Sequence, residues 1–171
     1  MQALLKAFWD IALWRRDPGH LPDSRPLVAA CALAYAVMSA IQSWMLTGGD
    51  RLLARTLADV VLLIALVWLL LTVTRRLRRL NQTLAAALGT GALLSPLVIL
   101  LLGLRGAAET NQAVALAVWA GSVALILWYT FILGHIVRSA LDTGWFTGVA
   151  IAITYVVASA TLLTRIFPEA G

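Results

Sequence analysis

The residues able to do chemistry are few and far apart. His20 and His135 are the only histidines, and Cys31 is the only cysteine. A metal site needs several such ligands at workable spacing, and a lone thiol forms no disulfide within the chain. No serine has a histidine and an acid in a recognisable nucleophile motif, and no phosphate-cradling glycine loop occurs. The chain therefore reads as non-enzymatic, with no metal and no cofactor. Two polar constellations remain. The first is Asp59, with Arg55 four residues before it and Gln42 in the preceding apolar segment. An acid within apolar sequence is costly and often functional. A local pair with Arg55 on one helical face, near a helix N-terminus, would account for it structurally. A proton relay would need a second buried titratable group, and none stands mid-segment. The second constellation is Asp23, Arg79, Asn81, Gln82, His135 and Arg138. Guanidinium groups grip phosphate through two oxygens at once, so this set suits an anionic headgroup or a partner protein. The same residues also suit helix capping, turn closure and topology, and for His135 a helix-end structural role is the plainer reading.

Composition dictates the elements that must position these groups. The 171 residues are 61% hydrophobic and only 12% charged. A soluble domain carries about 25% charge, so most of this surface faces lipid. Five apolar segments, at 27–46, 55–74, 84–104, 112–136 and 145–167, are each near the length that crosses a bilayer. The fold expected is an all-α integral membrane protein, a five-transmembrane-helix bundle spanning 27–168, with Pro168 ending the last helix. Residues 1–26 are expected to form an N-terminal amphipathic interfacial helix, or equally one packed on the cytoplasmic end of the bundle, followed by a Pro-rich cytoplasmic break. In the helix, Gln2, Lys6 and Asp10 make a polar stripe opposite Leu4, Leu5, Phe8 and Ile11. Three prolines and a glycine then forbid regular helix in 15–26. No signal-peptide pattern opens the chain. A turn is expected at Thr47, Gly48, Gly49 and Asp50, a kink at Pro96, and a cap at Thr110 or Asn111. Gly89, Thr90 and Gly91, Gly121, and Gly148 with Ala152 thin their helices for close packing. Trp68 and Trp119 are placed to bury their ring N–H groups against a neighbour.

Sidedness follows from the cations. With the N-terminus inside, Lys6, Arg15, Arg16, Arg25, Arg75, Arg76, Arg78, Arg79 and Arg138 are cytoplasmic. Arg51, Arg55, Arg105 and Arg165 then lie outside, a split of nine against four of the 13 basic residues. N-in and C-out is the expected topology. It explains the net charge of +5 without nucleic acid, for which no basic patch in a polar, aromatic-interleaved context exists. It also puts Asp17, His20, Asp23, Arg79, Asn81, Gln82, His135, Arg138 and Asp142 on one cytoplasmic surface.

Three segments of that surface, RRDPGHLPDSRPL (15–27), RRLNQTLAAALGTGALLSP (78–96) and LGHIVRSAL (133–141), together resemble small bacterial membrane proteins related to the YIP family. The eukaryotic members of that family are Ypt/Rab-GTPase-interacting membrane proteins. The resemblance implies five spans, the N-in and C-out topology and a bacterial inner membrane. The function expected is a YIP-like protein that binds a partner or assists a membrane assembly through its cytoplasmic face. Expected partners are membrane lipids with anionic headgroups, a membrane or cytoplasmic protein, or a second copy of the chain. The alternative is a lipid or small-solute transporter or channel acting as an oligomer, its polar groove lined by Gln42, Ser43, Asp59, Thr90 and Gln112.

Overall fold

The structure is a computed structural model that describes residues 2–47, 49 and 51–167. The turn residues Gly48 and Asp50, and the expected stop at Pro168, lie outside the described residues. The chain is helical nearly throughout: α1 (Gln2–Ala12), α2 (Arg25–Thr47), α3 (Leu52–Val73), α4 (Leu80–Gly103), α5 (Arg105–Thr110), α6 (Gln112–Leu141) and α7 (Trp145–Ile166). Five of the helical segments are long and apolar enough to cross a membrane.

α4 is the axis of the bundle. Every residue from 83 to 91 is buried, and α2, α6, α1 and α3 all pack on this helix. A helix enclosed on all sides needs small side chains so that its neighbours can approach, and this stretch reads Thr-Leu-Ala-Ala-Ala-Leu-Gly-Thr-Gly. The missing Cβ of Gly89 leaves room for the Phe8 ring of α1, and that of Gly91 for the Tyr35 ring of α2. A Cβ would come within 2.5 Å of the first ring and 2.7 Å of the second. Pro96 lies within α4, which continues through it to Gly103.

The outer helices α2, α3, α6 and α7 bury one stripe and turn large apolar side chains outward. Leu33, Leu53, Val73, Trp119 and Phe146 are all more than 60% exposed. An outer surface this apolar suits hydrocarbon rather than water. Trp68 and Trp119, expected to bury their ring nitrogens, face outward. The indole that does reach a buried-side partner is Trp128, whose Nε1–H donates to the Ala12 carbonyl at 3.0 Å.

α1 has the two-sided pattern expected, with Lys6 exposed and Ala7, Phe8, Ile11 and Ala12 buried. Its apolar face meets the bundle. It rests on α4 through Phe8 and Gly89 and on α6 through Ala12 and Trp128, so α1 is a docked member of the bundle. Between the long helices, the segment expected as a loop after α4 contains the short helix α5. Asn111 caps α6, its Oδ1 accepting from the backbone N–H of Ala113 at 2.9 Å and of Val114 at 3.3 Å. α6 and α7 approach closely at Gly134 and Gly148, where a Cβ on Gly148 would stand 2.5 Å from the Gly134 carbonyl.

Candidate functional site at the arginine end

α3 ends in a turn that fixes the arginine run. Arg75 adopts a left-handed conformation, φ 56°. Its N–H donates to Thr72 O at 3.1 Å and that of Arg76 to Leu71 O at 2.8 Å. This is a Schellman closure with arginine where glycine is usual. A short 3-10 turn over Leu77–Arg79 then leads into α4. The four arginines thus occupy one corner, and with Asp142 they line a shallow basin of about 290 Å³.

Two of them are engaged and two are not. Arg79 Nη1 donates to Ser139 O at 2.8 Å and to Asp142 Oδ1 at 3.2 Å, tying the start of α4 to the end of α6. Arg76 donates to the other oxygen of Asp142. These guanidinium groups, Arg79 foremost, hold the Asp142 carboxyl below the usual carboxylate range. The side chains of Arg75 and Arg78 are exposed and make no hydrogen bond or ion pair among the described residues.

The remaining polar residues of this constellation fasten the Pro-rich segment across the same end. Gln82 Nε2 donates to Gly19 O at 3.2 Å and Leu21 O at 2.9 Å. Asn81 Nδ2 donates to Asp23 Oδ1 at 2.7 Å. His135, almost fully buried, lies with Nε2 3.2 Å from Arg16 O and 3.7 Å from Asp17 Oδ1. A carbonyl only accepts, so Nε2 carries the proton. Pro18 and Leu21 are buried beneath the segment, and Asp23 is spent on Asn81 while Ser24 Oγ meets the Leu27 N–H at 3.5 Å. Arg138 stacks over Trp145, 5.7 Å from the ring centroid. Trp145 itself stacks on Phe131 and meets Trp14 edge-on. Arg79, Gln82, His135 and Arg138 therefore share one end of the bundle, each turned to a neighbouring backbone, carboxylate or ring. Sequence reasoning missed the Trp145 platform and the Asp17 side of His135, since both depend on which faces of α6 and α7 meet.

The intramembrane set lies toward the opposite end, and the expected pairing of Arg55 with Asp59 gives way to longer-range bonds. Arg55 Nη1 donates to Phe167 O at 3.1 Å, fixing the end of α7 to α3. Asp59 Oδ2 accepts from Ser39 Oγ of α2 at 2.7 Å. Asp59 and Gln42 line a cleft of about 320 Å³ with Tyr35, Ser39, Ser95 and Tyr129. Of the other residues expected in a polar groove, Thr90 is enclosed in α4 with its hydroxyl on Ala86 O, Ser43 is buried outside the cleft, and Gln112 is exposed at the start of α6. The signal available for the cleft was the spacing of Tyr35, Ser39 and Gln42, which places them on one face of α2.

Among the described residues no three His, Cys, Asp or Glu side chains are grouped to hold a metal ion. Comparison of the chain with protein-family models, with curated proteins and with solved structures finds no match.

Proposed function

We propose that this chain is a non-enzymatic, YIP-like multi-pass protein of a bacterial inner membrane, oriented N-in and C-out. In this reading its cytoplasmic arginine corner binds the phosphate of anionic lipid headgroups and so seats the bundle for assembly with a partner. The observation that carries it is the division of labour within 75–79. Arg76 and Arg79 hold Asp142 and the end of α6, while Arg75 and Arg78 stand exposed beside them with no acceptor among the described residues. Juxtamembrane cations of this kind are worth about 1 kcal/mol each against an anionic leaflet. Arginine adds a two-pronged grip on phosphate oxygens.

The test is extraction of the tagged protein with its native lipids, followed by mass identification of everything that co-purifies. Wild type is expected to carry anionic lipid above its membrane abundance. The double substitution Arg75→Gln with Arg78→Gln should lower that enrichment roughly tenfold or more, at about 1 kcal/mol per cation, with the fold intact. Anionic lipid at bulk proportion in both proteins would refute the headgroup reading. A stoichiometric protein lost on the same double substitution would instead give the corner to a protein partner.

A further inference from the structure

The second cavity is independent of the arginine corner and is built differently. Its lining takes one face from each of three helices. α2 gives Tyr35, Ser39 and Gln42, α4 runs from Gly91 through Leu94 and Val98 outward, and α6 contributes Ser122, Leu125 and Tyr129, with α3 adding Asp59. Such spacings, three or four residues apart, define continuous helical stripes. α2 and α6 both pack on α4 but make no extensive contact with each other. The gap between them is the cleft.

Two tyrosines and an acid meet in the inner part of this slot. Tyr35 abuts Gly91, and the Tyr129 hydroxyl lies 3.8 Å from the position a Gly91 Cβ would take. That hydroxyl is buried and makes no hydrogen bond within 3.5 Å among the described residues, with the Tyr35 hydroxyl as its longer-range neighbour. Buried polar groups are nearly always satisfied, so a hydroxyl at a cavity wall with no short hydrogen bond has capacity left for a ligand. Asp59 is held by Ser39 and Tyr35 and lines the same space. A carboxylate only accepts hydrogen bonds, so its ligand must donate. An ionised Asp59 favours a donor that is also cationic. Arg55 donates to the Phe167 carbonyl, and Asp59 still feels its charge. Arg105 lines the outer mouth, and its 14-residue separation from Gly91 corresponds to roughly 21 Å of helix rise. The walls between are Leu94, Val98 and Leu125, suited to a hydrocarbon body.

We propose that this cleft binds a small amphiphilic amine, its ammonium between Asp59 and the Tyr129 hydroxyl and its apolar body along α4 and α6. The cavity is within the size range of small-molecule sites. Its lining begins near mid-height of α4 and continues to Arg105, so it is a pocket entered from one half of the bundle rather than a path through it.

Decylamine, with decanol and decanoate as chain-matched controls, tests this by calorimetry and native mass spectrometry on the full-length protein in lipid nanodiscs. Decylamine should bind saturably at one site per chain, at least tenfold more tightly than either control. Asp59→Asn should weaken it at least tenfold and Tyr129→Phe severalfold. Equal binding of decanol, equal binding to D59N, or no saturable binding would each overturn the assignment. Should D59N fail to yield folded protein, Ser122→Phe keeps the acid and fills the apolar part of the slot. Loss of binding in S122F supports the site, and undiminished binding refutes it.

Discussion

Arg75 ends α3 at φ 56°, where a side chain strains the backbone and glycine would not. The charge and the strain are separable by substitution. Arg75→Gly should raise unfolding stability by about 1 kcal/mol, whereas Arg75→Gln keeps the strain and gives no such gain. Both should lose headgroup affinity to a similar degree. Denaturation in detergent micelles, set beside lipid co-purification, reads the two effects. An R75G protein no more stable than R75Q would remove the strain from the account. Asp142 is a second left-handed residue, φ 46°, and the counter-charge of Arg79 and Arg76. Asparagine tolerates this conformation, so Asp142→Asn isolates the charge. Arg79 and then Arg76 lower the carboxyl's folded-state pKa. Its contribution is therefore complete above the unfolded value, about 3.9, and is lost as pH falls through the lower folded value. The stability gap between wild type and D142N should be flat at neutral pH, close in that acidic window, and shrink with added salt because the pair is exposed. A gap that persists after the folded-state carboxyl is fully protonated would assign the effect to helix termination instead.

Elements here are joined through backbone approach and through polar straps. At the α6–α7 seam a Cβ on Gly148 would stand 2.5 Å from the Gly134 carbonyl and 2.7 Å from Arg138 Cβ. Gly148→Ala should cost about 1–3 kcal/mol by overpacking. Gly144→Ala, at a helix start with open space around it, should change stability by less than about 0.5 kcal/mol. Melting curves of the two proteins decide it. The Pro-rich segment depends on Gln82, whose amide serves both Gly19 and Leu21. Gln82→Ala should raise amide exchange across 17–21 roughly thirtyfold, as expected for about 1 kcal/mol for each of the two lost hydrogen bonds, while α4 keeps its protection. The apolar runs made the long helices legible, and Asn111 announced the start of α6. The docking of α1 and the enclosure of α4 were not legible in the same way. Where all faces of a helix are apolar, periodicity does not say which face turns inward. Only the run of small residues from 85 to 91 hinted that one helix would be surrounded. The cleft was hidden for the same reason. Gln42 and Asp59 stood out as polar residues, but Tyr129 reads as an ordinary aromatic until α6 is rotated against α4.

At the scale of the whole molecule, the arginine corner, the strapped Pro-rich segment and the Trp145 platform all occupy one end, while Gln42, Asp59 and Arg105 lie toward the other. This polarity has a functional meaning only if the arginine end faces the cytoplasm. The cation split of nine against four argues for that orientation. Cys31 is the only native thiol and is buried, so Cys31→Ala provides a clean background for reporters. In that background Arg78→Cys should be shielded from an impermeant maleimide in intact cells and label only after lysis. Gly106→Cys, in the exposed short helix α5 at the opposite end, should label in intact cells. The reverse pattern would turn the arginine corner outward and end the case for inner-leaflet headgroups. It would leave the amine cleft standing, with its mouth at Arg105 then opening toward the cytoplasmic half of the membrane. Because the two sites lie toward opposite ends of the bundle, one labelling experiment assigns each of them a leaflet.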